Sequence, residues 1–118
     1  MKYALMVYSD QTAWDSYTEE EAARLRAESM PAWIACFEEL GKADPDMVGY
    51  ELEGASDAKV IRVRDGERIV TDGPFAETKE QIGGVFLTDL PDLDEAIRLS
   101  SLIPAARYGS LEIRPIAE

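Results

Sequence analysis

Three short stretches of this 118-residue chain carry side chains suited to chemistry. Asp10 follows the apolar run Tyr3-Ala4-Leu5-Met6-Val7-Tyr8. A carboxylate at the end of a buried strand loses solvent, which raises its pKa towards that of a useful general base. Read without chemistry, the same residue is a turn aspartate that stops a strand. Arg107-Tyr108-Gly109 sets a guanidinium beside a phenol. The guanidinium can grip a carboxylate through paired N–H groups, and the phenol can donate from its hydroxyl. Among 24 acids, Arg107 also has an internal alternative, an ion pair with Asp72, Glu77 or another carboxylate. Asp72-Gly73-Pro74-Phe75 is a turn by residue type. Held on a rigid sheet, such a turn would also aim Phe75 and the Glu77 and Lys79 charges at the mouth of a cleft. Asp10 is thus the candidate base, and Asp72, Phe75, Lys79, Arg107 and Tyr108 are the candidate ligand contacts.

Much other chemistry is excluded by what is missing. The chain has no His, which removes Ser-His-Asp and Cys-His arrangements and His-ligated zinc. No calcium-loop spacing, phosphate-cradling glycine motif or nucleophile elbow is present, so neither metal nor cofactor is expected. A net charge of −12 repels a phosphate backbone and argues against nucleic acid. That charge is uneven: residues 1–57 carry 13 acids and 4 bases, whereas residues 58–118 carry 11 and 8. Cys36, the single cysteine, lies within Trp33-Ile34-Ala35-Cys36-Phe37 with no base beside it, and reads as a small core residue. One cysteine makes no internal disulfide, and no run is apolar enough for a signal peptide or membrane span. A cytoplasmic protein of one domain, residues 1–118, is expected.

The elements that must position these residues follow from periodicity. Residues 3–8 form a strand apolar on both faces. Thr18-Glu19-Glu20-Glu21 is a capping box opening a helix that should run to about Leu40, break or kink near Ala27 to Met30 because of Pro31, and end at Gly41. A strand follows at Val48 to Leu52. Two β-rich runs, 59–64 and 67–71, are joined by Asp65-Gly66, a strong hairpin signal. Arg62, Arg64 and Arg68 cluster on that hairpin, with Arg64 and Glu67 opposed as a cross-strand pair. A loop spans Thr71 to Gln81. A strand at 84–88 follows Gly83-Gly84, which permits a bulge. A helix capped by Asp92 stops before Pro104, and a last strand covers 110–114.

The order β-α-β, hairpin, β-α-β is a ferredoxin-like α+β plan with an added hairpin. Two helices cover one face of its sheet, yet the first strand is apolar on both. A second copy of the sheet is the economical cover, so a homodimer is expected.

The segment Thr71-Asp72-Gly73-Pro74-Phe75-Ala76-Glu77-Thr78-Lys79-Glu80-Gln81-Ile82-Gly83-Gly84 resembles the signature of the YCII-related, DGPF-type proteins. Pro91-Asp92-Leu93-Asp94-Glu95-Ala96 and Ile103-Pro104-Ala105-Ala106-Arg107-Tyr108-Gly109-Ser110 resemble it too, in the family's order. The resemblance implies a dimeric α+β barrel, with ferredoxin-like subunits packed sheet to sheet around a cleft. It also implies an Asp–His acid–base site. Asp10 matches the Asp, but Met30 falls near the place of the His, and this chain has none. Genes of such proteins often lie beside those of extracytoplasmic-function sigma factors.

Three functions fit these readings. The first is a binding protein, of regulatory use, for a small carboxylate or aromatic ligand held in each subunit's cleft between sheet and helices. The second is a small lyase or isomerase with Asp10 as base and Arg107 or Tyr108 steadying an oxyanion. The third is a protein-interaction partner of a sigma factor or other transcription factor.

Overall fold

The computed structural model describes residues 1–118. Strand β1 (Lys2–Asp10) sends Tyr3, Leu5 and Val7 into the core and turns Ala4, Met6 and Tyr8 the other way, as a two-residue period requires. A short helix α1 (Gln11–Asp15) follows, and was not expected from the sequence. Helix α2 (Glu19–Ala43) opens on Thr18, whose hydroxyl accepts from the Glu21 amide at 3.1 Å and donates to the Glu21 carboxylate at 3.1 Å. Of the break or kink expected near Ala27 to Met30, the break does not occur: α2 runs on through Pro31, and it also passes Gly41, where it was expected to end. A single proline removes one backbone donor, whereas Trp33, Cys36 and Leu40 hold the following turns against the sheet. The helix stops at Asp44, whose carboxylate accepts from the Asp46 amide at 3.0 Å, the Thr88 hydroxyl at 3.0 Å and the Asp89 amide at 2.8 Å. These bonds hold its pKa below the usual carboxylate range.

Strands β2 (Val48–Glu51), β5 (Glu80–Asp89) and β6 (Ser110–Pro115) join β1 in an antiparallel sheet of order β2-β5-β1-β6. Strands β3 (Lys59–Arg64) and β4 (Glu67–Asp72) form a separate two-stranded hairpin between β2 and β5 in the chain. Helix α3 (Leu93–Leu102), capped by the Asp92 side chain on the Glu95 amide at 2.9 Å, crosses from β5 to β6. The order is that of a ferredoxin-like fold with an inserted hairpin. At the hairpin tip Asp65 (φ 51°) and Gly66 (φ 76°) take the positive φ values of a type I′ turn. Arg64 and Glu67 stand opposite each other across the turn, as expected; no ion pair joins them, and Arg64 donates to the Val63 carbonyl. Gly83 is the extra residue of a bulge, since Val7 pairs with Gly84 and Tyr8 with Ile82. The strand accordingly begins at Glu80, four residues before the Gly84 expected from the sequence.

Helices α2 and α3 and the turn Pro104–Arg107 cover one sheet face and enclose a core including Tyr3, Leu5, Leu40, Phe86, Leu99 and Ile103. The opposite face is open. It carries Val48 and Tyr50 of β2, Val85 and Leu87 of β5, and Met6 of β1, with Tyr50 61 % and Leu87 40 % exposed. Only 15 of 118 residues are buried, and the radius of gyration is 16.3 Å. A compact chain of this length would have about 13.5 Å. The subunit is therefore a flat slab, 47 × 43 × 20 Å, with a projecting arm.

Two glycines test this packing in opposite directions. A Cβ at Gly109 would sit 2.1 Å from the Tyr8 carbonyl oxygen, where β6 enters the sheet. Gly109→Ala should part β1 from β6 and cost about 1–3 kcal/mol or more in urea unfolding. A Cβ at Gly41 meets nothing within 4 Å. Gly41→Ala, inside α2, should stabilise by roughly 0.5–1 kcal/mol.

Candidate functional site

The C-terminal end of β1 meets the starts of β5 and β6, where Asp10 pairs with Glu80 and Tyr8 with Ser110. Asp10 lies here, but its oxygen is engaged. It caps α1, accepting from the Thr12 amide at 2.9 Å, the Ala13 amide at 3.3 Å and the Thr12 hydroxyl. Chiefly the Thr12 hydroxyl and Ala13 amide bonds, with a small contribution from Lys79, hold its carboxyl below the ordinary value. The expected rise by desolvation is thus reversed: hydrogen bonds to the charged form outweigh the loss of solvent.

The remaining expected residues divide into separate groups. Asp72 forms an ion pair with Lys59 across the base of the hairpin, not with Arg107. Arg107 ends the turn Pro104–Arg107 and pairs with no carboxylate, and Tyr108 beside it is exposed. Phe75 is 77 % exposed on the loop after a cis Gly73–Pro74 bond, with the Arg62 guanidinium 5.5 Å from its ring centre. Phe75 therefore associates with the hairpin. Lys79 and Asp10 share the sheet end; Asp72 and Phe75 belong to the arm.

Sequence reasoning missed a polar row on the open face. The Tyr8 hydroxyl donates to Glu112 at 3.2 Å, Arg114 reaches the other Glu112 oxygen at 3.4 Å, and Ser110 donates to Glu80 at 3.1 Å. Burial, reinforced by Glu112, pushes the Tyr8 phenol up, so it remains a protonated donor. The alternation Ser110, Glu112, Arg114 was the available signal: it sets polar groups on the face that β1 and β5 line with apolar ones.

Two hollows of about 250 Å³ each indent the subunit. One lies between α3 and β6, lined by Ile97, Ser100, Ala106, Leu111 and Ile113 among others. The second lies beside the Asp72–Phe75 loop, lined by Leu52, Glu53, Asp57, Pro74, Gln81 and Ile82 among others. None of the six expected site residues lines either hollow. The buried Gln81 amide fixes the loop beside the second, donating to the Ala76 carbonyl at 2.6 Å and the Thr78 carbonyl at 2.7 Å. Glu53 and Asp57 make that hollow a poor receptor for an anion. Cys36 is buried and its thiol is pushed up to about 11 by burial, which makes it an inert core residue.

Because folding lowers the Asp10 pKa, its stabilising contribution is present above the unfolded value near 3.8 and is lost as pH falls through the folded value. Asp10→Ala should therefore be less stable than wild type in urea at pH 7. The gap should narrow as the two proteins are unfolded at pH values below 3.8. A gap that is constant with pH would remove the charge from this account of the cap.

A family model described as the YCII-related domain matches residues 1–118. An uncharacterised protein of Rhizobium meliloti (strain 1021) is 38 % identical over 121 residues, covering 99 % of this chain and 93 % of its own length. A match along the full chain, over strands, helices and inserted hairpin alike, places the protein in the YCII-related family.

Proposed function

We propose that this protein binds a small aromatic ligand between the open sheet faces of a homodimer, in the manner of a regulatory binding protein. The observation that carries this reading is the open face itself. Its centre is apolar, with Val48, Tyr50, Val85, Leu87 and Met6, and its β6 side carries the Tyr8–Glu112–Arg114 row. An apolar surface with a few convergent polar groups is the usual make-up of a ligand site once it is enclosed. A second copy would enclose it and cover surface that a lone subunit leaves wet.

The polar groups select the ligand. Glu112 and Glu80 face the enclosed space with acceptor oxygens, and Asp10 adds charge at its end. An aromatic hydroxyl or amine can donate to Glu112, with Tyr8 beside it. A carboxylate would meet repulsion that Arg114 and Lys79 offset only in part. Of the two ligand classes expected from the sequence, the aromatic one is therefore preferred. The acid–base reading is weaker, because the hydrogen bonds that hold Asp10 low also make it a poor base.

A thermal-shift screen with matched phenols, anilines and benzoates tests this. A phenol or aniline should stabilise the protein, by about 2.7 kcal/mol at 100 times its dissociation constant. The shift should be lost in Glu112→Gln, reduced in Tyr8→Phe and kept in Arg107→Ala. A screen in which only benzoates bind, and bind through Arg107, would replace this ligand assignment.

A further inference from the structure

The hairpin β3–β4 is poorly explained as part of one subunit. Its strands pair only with each other, and its base is closed by the Gly73 amide on the Ala58 carbonyl at 2.8 Å. An isolated two-stranded hairpin is marginal in water. The register fixes two unlike faces. One holds Val60, Arg62, Ile69 and Thr71, with Arg62 lying over Phe75. The other holds Ile61 opposite Val70 and Val63 opposite Arg68, and its three apolar residues are 65 %, 54 % and 60 % exposed in the order Ile61, Val70, Val63. β-Branched side chains in a row suit a packed surface, not a wet one.

The same chain carries a matching surface. On α2, Met30, Ile34 and Phe37 are spaced i, i+4, i+7 and all are 45 to 50 % exposed. The stripe borders the packed side of the helix, where the Phe37 ring centre stands 6.1 Å from that of the core residue Phe86. Glu38 stands four residues beyond Ile34 and so borders this stripe. The charges are complementary. Residues 59–72 carry four bases and three acids, a net +1, so the rest of the chain carries −13. Arg68, on the apolar face of the arm, has no carboxylate partner, and Glu38 has no cationic one.

We infer that the hairpin is a clasp whose occupant is a second copy of this chain. Ile61, Val63 and Val70 of one protomer cover the Met30, Ile34 and Phe37 stripe of the other, and Arg68 pairs with Glu38. Two such contacts related by a two-fold axis close the assembly without leaving a free arm. This inference rests on the two-copy reading above and adds a contact outside the sheet-to-sheet one.

Sedimentation equilibrium separates the two. Wild type should be dimeric, and Ile61→Ser with Val63→Ser should weaken its self-association at least tenfold. Arg68→Glu and Glu38→Arg should each weaken it, while the double variant Arg68→Glu/Glu38→Arg should recover most of the loss, an effect that a merely unfolded hairpin would not give. A dimer whose dissociation constant is unchanged in all these variants overturns the clasp and leaves the sheet-to-sheet dimer standing. A monomeric wild type overturns both.

Discussion

A four-stranded sheet has two faces, and this chain has helices for only one of them. That constraint governs the rest of the molecule. Tyr3, Leu5 and Phe86 on the helix-facing side of the sheet form a closed core with Leu99 of α3 and Ile103 just after it, so that face has its stabilisation within the subunit. The other face keeps apolar side chains in contact with water, at a cost that grows with their exposed area. The thinness of the slab, 20 Å, follows directly: one sheet and one layer of helices are all it contains.

The polar groups are arranged around the same asymmetry. Asp10 and Asp44 are spent on the architecture, one capping α1 and the other linking the end of α2 to β5. Each is held as a carboxylate by bonds from N–H or O–H groups, which suits a fixed structural charge better than a proton carrier. Tyr8, Glu112 and Arg114 differ from them. They stand on strands of the open face, bonded to one another and close to its apolar centre. Side chains on rigid strands are held more exactly than those on loops, so this row is better placed to define a ligand than Phe75 or Tyr108.

Much of the fold was legible because each signal was local. The Thr18 capping box, the Asp92 cap, the Asp65-Gly66 turn and the Gly83 bulge each depend on a few adjacent residues, and all occur where the sequence puts them. Errors arose where tertiary packing outweighs a local preference. Pro31 does not break α2, because residues on both sides of it are committed to helix and the core anchors the next turns. The site was less legible for a related reason. Asp72 and Arg107 were candidates for pairing on charge alone, but the hairpin register brings Lys59 opposite Asp72 first. The apolar strand before Asp10 points to a desolvated acid; that its oxygen meets two amides depends on α1, which no periodicity announces.

The proposed homodimer covers the open face with a second copy in solution. Hydroxyl-radical footprinting across a dilution series examines that face residue by residue, using Tyr50 and Met6 as reporters and the exposed Tyr108 as reference. Tyr50 and Met6 should be protected at high protein concentration and become reactive on dilution, while Tyr108 should react equally throughout. Tyr50 reacting as freely as Tyr108 at every concentration would contradict it.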